Sequence, residues 1–214
     1  MPADLSPGQP FPDLELDDHT GSRRRLSDLV GGDPTFLHTY RGFWCPKEQA
    51  FFRGLAALQD EAEVAYTRIV SLSIDPPPVA AAFRAGLGAR WTFLSDPERA
   101  AQAALGLRET TDTVYRPYVP AGFSLRPDLT IHAAYDGYWF WGRPTQEEIR
   151  QDFRAISRSV RSDWAALRST ASCGSSRAAM SAWSTRGSAN CPRVCAASAR
   201  TCASGSCSAR PRSA

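Results

Sequence analysis

A single cysteine, Cys45, stands within the first 172 residues, in the stretch TYRGFWCPKEQ. Pro46 and a run of helical periodicity follow it directly, which predicts that the thiol lies at the start of a helix. The free backbone N–H groups and the positive end of a helix dipole favour a thiolate there, and Arg41 and Lys47 add positive charge. We therefore predict that Cys45 is a reactive thiolate. The alternative is a buried cysteine that only packs in the core.

Arg41 and Glu48 flank Cys45 and are predicted to share in its chemistry. Arg41 would add positive charge beside the thiol, or it is an ordinary solvated side chain. Glu48 falls in the first helical turn, where it either acts in catalysis or only complements the helix dipole. Pro46 suits this turn because its missing N–H has no helical partner there. The histidines show no metal-binding spacing, so neither a metal nor a cofactor is expected.

Strands and helices alternate through the first 161 residues, which predicts an α/β sheet with helices on both faces. Apolar residues at Phe51, Leu55, Leu58 and Ala62 define one stripe of the helix that follows Cys45. A sheet of this kind carries reactive groups at the carboxyl ends of its strands, and Cys45 follows a strand directly. The predicted strands are PDLELDD, 34–40, 65–74, WTFL, 123–125 and 129–135, and the predicted helices are 45–63, 79–86, 97–105 and 145–160.

The C-terminal segment 162–214 differs in composition from the residues before it. It carries seven arginines and one aspartate, a net charge of +6, whereas the whole chain carries only +3. The first 161 residues are left with −3, which argues against a nucleic-acid surface on that part. Ala, Ser, Arg, Gly and Cys dominate the segment, so it has too few apolar side chains to form a core. We predict a disordered tail whose five cysteines are unpaired thiols.

The location of the chain is predicted from what its sequence lacks. No apolar run approaches the roughly 20 residues that span a bilayer. The start, MPADLSPGQP, has neither the basic region nor the apolar region of a signal peptide. A cytoplasmic, reducing location without membrane contact is therefore expected, and the cysteines are interpreted as thiols before disulfides.

Three motifs resemble the AhpC/TSA-type peroxiredoxin-like redoxins of the thioredoxin fold. RGFWCPKE resembles their RG-x-WCP-x-C version, and VPAGFSLRPD and the aromatic run GYWFWGRPT resemble later segments. The resemblance covers about residues 5–160 and implies a thioredoxin-like domain at 5–161, with a central mixed β-sheet flanked by helices. It also implies that peroxide oxidises Cys45 to a sulfenic acid, which an external thiol then reduces.

The chain departs from the family pattern at four positions. Gly42 stands where a Thr or Ser orients the peroxide, and His38 replaces a proline seven residues before Cys45. The arginine that polarises the peroxide aligns near Pro120, which instead suits the cis-proline of thioredoxins. The resemblance then implies that Arg41 takes the place of that arginine and binds the incoming peroxide or oxyanion. Glu48 occupies the place of the second cysteine of a CxxC motif, which leaves a single-cysteine mechanism. The pocket is predicted to contain Gly42, Trp44, Pro46 and Pro120.

Two classes of function stay open at this point. The first is a thiol-dependent antioxidant oxidoreductase that reduces peroxides through Cys45, with a small peroxide and an external thiol as partners. The second is a thioredoxin-fold binding or scaffolding module without turnover. Thiol–disulfide exchange through a mixed disulfide also needs only one cysteine. The run Tyr138–Trp141 suits core packing or a homodimer interface.

Overall fold

The computed structural model describes residues 2–137 and 143–161. Its seven strands form one mixed sheet, which confirms the predicted central sheet. The predicted tail at 162–214 and the aromatic run 138–141 lie outside the described residues. The strands are β1 (Glu15–Asp18), β2 (Arg23–Arg25), β3 (Thr35–Thr39), β4 (Arg68–Ser73), β5 (Thr92–Ser95), β6 (Ala121–Leu125) and β7 (Ile131–Tyr135). The helices are α1 (Leu26–Val30), α2 (Pro46–Val64), α3 (Pro77–Gly86), α4 (Ala100–Leu105) and α5 (Gln146–Val160).

The strands follow the order β2-β1-β5-β4-β3-β6-β7, so β3 lies inside the sheet. It pairs in parallel with β4 and antiparallel with β6. All five of its residues are buried because helices cover both faces of the sheet. Successive side chains of a strand point to opposite faces, and Phe36 and Leu37 accordingly belong to different core clusters.

The two core clusters account for the placement of the helices. Residues of α1 and α4 pack into the cluster that contains Leu37, whereas residues of α2, α3 and α5 pack into the cluster that contains Phe36. The buried stripe of α2 differs from the prediction at one position, since Phe52 rather than Phe51 is completely buried. None of the helices within the described ranges is both long and apolar enough to cross a membrane.

The structure adds two short elements, β2 and α1, that were not predicted. Arg23–Arg25 were interpreted as a solvated surface, and they are exposed, but they also form the edge strand β2 against β1. Arg24 Nε lies 3.1 Å from Asp18 Oδ2, and Arg25 Nη2 lies 3.1 Å from Glu15 Oε2. Cross-strand ion pairs therefore join β2 to β1, and β2 does not show the alternation of apolar and polar side chains that is typical of a half-buried strand.

The loop between β3 and α2 places Cys45 where the sequence predicted it. Cys45 is the residue that precedes α2, with extended backbone angles, and Pro46 occupies the first turn of the helix. The start of β6 lies alongside, because Ala121 pairs with Thr39 at the carboxyl end of β3. The thiol thus lies where the carboxyl ends of the parallel strands adjoin the N-terminus of a 19-residue helix.

Candidate active site

The Cys45 side chain is covered, with 4% of the residue exposed. Its backbone N–H donates to the carbonyl of Gly42 at 3.2 Å, which closes a turn over residues 42–45. Its carbonyl accepts from Gln49 N at 3.1 Å, the first hydrogen bond of α2. The Gln49 amide in turn donates to the Phe43 carbonyl at 2.8 Å. The loop that carries the thiol is therefore fastened to the first turn of its own helix.

Gly42 is required by the shape of this loop. Its φ of 144° lies in a region that residues with a side chain rarely adopt, and a Cβ atom there would lie 2.6 Å from Trp44 Nε1. A Thr or Ser at this position would meet the Trp44 indole. The departure from the family pattern at Gly42 therefore has a steric explanation in the neighbouring Trp44.

Glu48 is completely buried and accepts hydrogen bonds on both carboxylate oxygens. Arg143 donates from Nε to Oε2 at 3.2 Å and from Nη2 to Oε1 at 2.5 Å. His38 Nε2 lies 3.1 Å from Oε2, and the backbone N–H of Arg41 lies 3.3 Å from Oε1. We call His38, Glu48 and Arg143 the buried charge cluster.

These partners control the ionisation of Glu48. Burial by itself would raise the pKa of this carboxyl group, but the hydrogen bonds and positive charges of His38 and Arg143 lower it to about 2. A carboxylate that is ionised and fully bonded is a poor proton donor or acceptor at neutral pH. The geometry therefore suits Glu48 to hold its neighbours in place rather than to transfer protons.

Arg41 connects the Cys45 loop to a second loop, residues 109–117. Its Nη2 donates to Asp112 Oδ2 at 2.9 Å, and its side chain is only 12% exposed. Its guanidinium carbon lies 5.1 Å from the centroid of the Trp44 ring. Trp44 also stacks on Tyr115, with ring centroids 4.6 Å apart. An ion pair and an aromatic stack thus hold the two loops together beside the thiol.

A second buried carboxyl group, Asp75, also holds the loop. It follows the end of β4, and its Oδ2 accepts from the backbone N–H of Phe43 at 3.0 Å. Burial raises the pKa of Asp75 above its ordinary value, although the bond from Phe43 opposes this. Glu48 and Asp75 therefore accept the N–H groups of Arg41 and Phe43 from two sides of the loop.

The predicted cis peptide before Pro120 is wrong, since the described residues contain no cis peptide bond. Both backbone polar groups of Val119 are hydrogen-bonded. Its carbonyl accepts from Thr39 Oγ1 at 2.8 Å, and its N–H donates to the Leu107 carbonyl at 2.8 Å. Pro120 is buried directly before β6, whose register places it at the sheet edge from which the Cys45 loop leaves.

The predicted site residues thus fall into three settings. Cys45, Arg41, Gly42 and Trp44 share one loop, and Glu48 lies beneath it in α2. Pro46 is exposed in the first turn of α2, and Pro120 lies at the adjacent end of β6.

The structure adds His38, Arg143 and Asp75, which sequence reasoning did not assign to the site. Across the part of the chain that the structure describes, no three His, Cys, Asp or Glu side chains could hold a metal ion together.

Comparison with known proteins identifies a family that the chain matches. The model of the AhpC/TSA family matches residues 7–133, more than half of the chain. A protein of Mycobacterium tuberculosis strain H37Rv that carries the name of a peroxiredoxin is 35% identical over 107 residues, which are 49% of this chain and 68% of that protein. A protein of strain CDC 1551 matches to the same extent.

Solved structures show the same fold. The crystal structure of peroxidoxin BcpB from Mycobacterium tuberculosis matches with a TM-score of 0.62 and 23% identity, over 74% of this chain and 100% of that one. Reduced Prx3 from Vibrio vulnificus, solved in complex with hydrogen peroxide, matches with a TM-score of 0.62 and 18% identity, over 72% and 99%. The likeness confirms the thioredoxin-like fold. The family match and the mycobacterial relatives show that the chain belongs to the AhpC/TSA family, as a peroxiredoxin-like redoxin.

Proposed function

We propose that the chain is a single-cysteine thiol peroxidase whose reacting atom is the sulfur of Cys45. The thiolate attacks one oxygen of a peroxide, so that an S–O bond forms while the O–O bond breaks. The leaving oxygen takes a proton and departs as water or an alcohol, and Cys45 becomes a sulfenic acid. One external thiol converts the sulfenic acid to a mixed disulfide with loss of water, and a second thiol releases the Cys45 thiolate.

The observation that carries this proposal is the placement of Cys45 at the start of α2, in a chain that belongs to the AhpC/TSA family. The N-terminus of α2 carries the positive end of a helix dipole, and the guanidinium of Arg41 in the same loop is paired with Asp112. Glu48 and Asp75 accept backbone N–H groups of the loop, which restrains the residues that precede Cys45. Preorganised geometry of this kind is what lowers the barrier of a displacement reaction.

The cover over Cys45 favours peroxide over a disulfide as the first reactant. With only 4% of the residue exposed, a small oxidant reaches the sulfur more readily than a protein disulfide does.

The reductant is proposed to be an external thiol, since Cys45 is the only cysteine within residues 2–137 and 143–161. A reducing compartment such as the cytoplasm would supply that thiol. A homodimer is the assembly that we propose, and we expect neither a nucleic-acid nor a membrane partner.

Steady-state peroxide consumption with an added small thiol tests the proposal. We expect turnover by the native chain and none by Cys45→Ser. A matched control replaces the five cysteines after residue 161 with serine and should keep the turnover, because those thiols have no part in the mechanism. Turnover that persists in Cys45→Ser would refute the assignment of the reacting atom. A native chain that consumes no peroxide but forms a mixed disulfide at Cys45 would favour thiol–disulfide exchange, and a chain that does neither would favour a binding module.

A further inference from the structure

His38 is a completely buried histidine whose two ring nitrogens both face oxygen atoms. Nδ1 lies 3.1 Å from the carbonyl oxygen of Ala121, which belongs to the neighbouring strand β6. Nε2 lies 3.1 Å from Oε2 of Glu48, on the helix that begins at the thiol. The ring therefore bridges β6 and α2 on the face of the sheet that α2 covers.

Neither of these oxygen atoms can donate a proton. A backbone carbonyl carries no hydrogen, and the Glu48 carboxylate is already the acceptor for Arg143 and for the N–H of Arg41. A neutral imidazole has one N–H and one lone pair, so one nitrogen would face an oxygen without a hydrogen between them. In a buried site such a contact costs about 1–3 kcal/mol. Both contacts are satisfied together only when both ring nitrogens carry hydrogen.

Aromatic side chains enclose the ring of His38, and the Glu48 carboxylate is the charged group in contact with it. Phe51 and Phe52 lie with ring centroids 4.5 Å and 5.5 Å from the His38 ring, and Phe36 and Tyr40 flank it along β3. These rings exclude water, which disfavours a buried charge, so the Glu48 carboxylate at 3.1 Å has to offset that cost for an imidazolium to form. The charged groups that face His38 are Glu48 and, beyond the carboxylate, Arg143.

We propose that His38 is a positioning residue, an imidazolium that fixes the Glu48 carboxylate, which in turn holds the Arg41 backbone N–H and the Arg143 guanidinium. His38 and Arg143 then supply two positive charges against one on Glu48. The buried charge cluster then carries a net positive charge, and its member on α2, Glu48, follows Cys45 by three residues. This charge favours the thiolate. Only the effect on turnover rests on the proposed peroxidase function.

Nitrogen-15 NMR of the native full-length chain tests the protonation state directly. The chain has three histidines, and the signal that disappears in His38→Gln identifies His38. At neutral pH we expect both ring nitrogens of His38 to show the chemical shifts of a protonated imidazolium. A shift pattern with one unprotonated nitrogen would overturn the proposal. This measurement does not depend on whether the protein consumes peroxide, so it separates a failure of this inference from a failure of the proposed function.

Two substitutions separate the two hydrogen bonds. The amide of His38→Gln reaches the place of Nε2 and can still donate to Glu48, whereas the amide of His38→Asn reaches only the place of Nδ1. Both variants lose the charge, but only His38→Asn loses the bond to Glu48. The readouts are alkylation of Cys45, followed by mass spectrometry of the tryptic peptide 42–47, and kcat/KM for peroxide.

We expect both variants to need a higher pH than the native chain for the same rate of Cys45 alkylation. We expect His38→Asn to lose about tenfold in kcat/KM relative to His38→Gln, because a charge-assisted hydrogen bond orients Glu48 in only one of them. Equal kcat/KM for the two variants, or an unchanged pH dependence of alkylation, would contradict the positioning role. A purely structural role would alter their melting temperatures without separating these readouts.

Discussion

Replacing Glu48 with glutamine tests the buried charge cluster, because it keeps the shape of the side chain and removes its charge. His38 and Arg143 would then be buried without a counter-charge. Breaking a buried ion pair by removing one partner costs about 3–5 kcal/mol. The pKa of Glu48 gives a similar value, since its fall from 4.5 to about 2 corresponds to about 3 kcal/mol. We therefore expect Glu48→Gln to lower the free energy of unfolding by about 3 kcal/mol at neutral pH.

Equilibrium unfolding in urea measures this loss, and Glu61→Gln is the matched control. Glu61 lies on the same helix and pairs with Arg150 at 2.7 Å, but its side chain is 56% exposed. Solvent screens an exposed pair, so the control should lose far less stability. The reasoning is refuted if the two variants are destabilised equally.

The difference in unfolding free energy between the native chain and Glu48→Gln should also change with pH, in a direction that the pKa of Glu48 determines. The pKa of Glu48 is lowered in the folded chain, so its stabilising effect is fully present above its ordinary value of 4.5. The effect is lost as the pH falls from there towards 2. The difference in unfolding free energy between the native chain and Glu48→Gln should therefore shrink across this range. A difference that stays constant between neutral pH and acid would show that Glu48 does not act through its charge.

Further substitutions test the loop that carries the thiol. Gly42→Ala should destabilise the chain by about 1–3 kcal/mol, because its φ is positive and the new Cβ would meet Trp44. Gly86→Ala is its control and should be tolerated in thermal unfolding, since it ends α3 with open space around it. Asp75→Asn keeps an oxygen for the Phe43 N–H, so it should raise stability at neutral pH by removing a buried charge. The raised pKa of Asp75 means that this advantage should fade as the pH is lowered, and an advantage that grows in acid would contradict the assignment.

The main elements of the fold could be predicted because their signals are local. The apolar strand predicted at 34–40 corresponds to β3 at Thr35–Thr39, and the helix predicted at 45–63 corresponds to α2 at Pro46–Val64. Proline in the first turn and apolar periodicity define this helix without help from the rest of the chain. The edge strand β2 could not be predicted in this way, since three exposed arginines depend on acidic partners in β1.

The buried charge cluster depends on information that the sequence does not display. His38 and Glu48 are ten residues apart, and Glu48 and Arg143 are 95 residues apart, so both contacts require the register of the sheet and the path of the chain. One local signal was available. Glu48 lies four residues before Phe52, on the stripe of α2 that is buried, but the predicted stripe ran through Phe51. A stripe through Phe52 would have placed Glu48 in the core, where a carboxylate requires a cationic partner.

The identity of Cys45 as the reacting atom is tested most directly by a single turnover without reductant. The full-length chain is mixed with one equivalent of peroxide in the presence of a sulfenic-acid trap, and the tryptic peptide 42–47 is weighed by mass spectrometry. We expect the trap on Cys45 in the native chain, in step with the loss of peroxide. Loss of peroxide while peptide 42–47 remains an unmodified thiol would contradict the account.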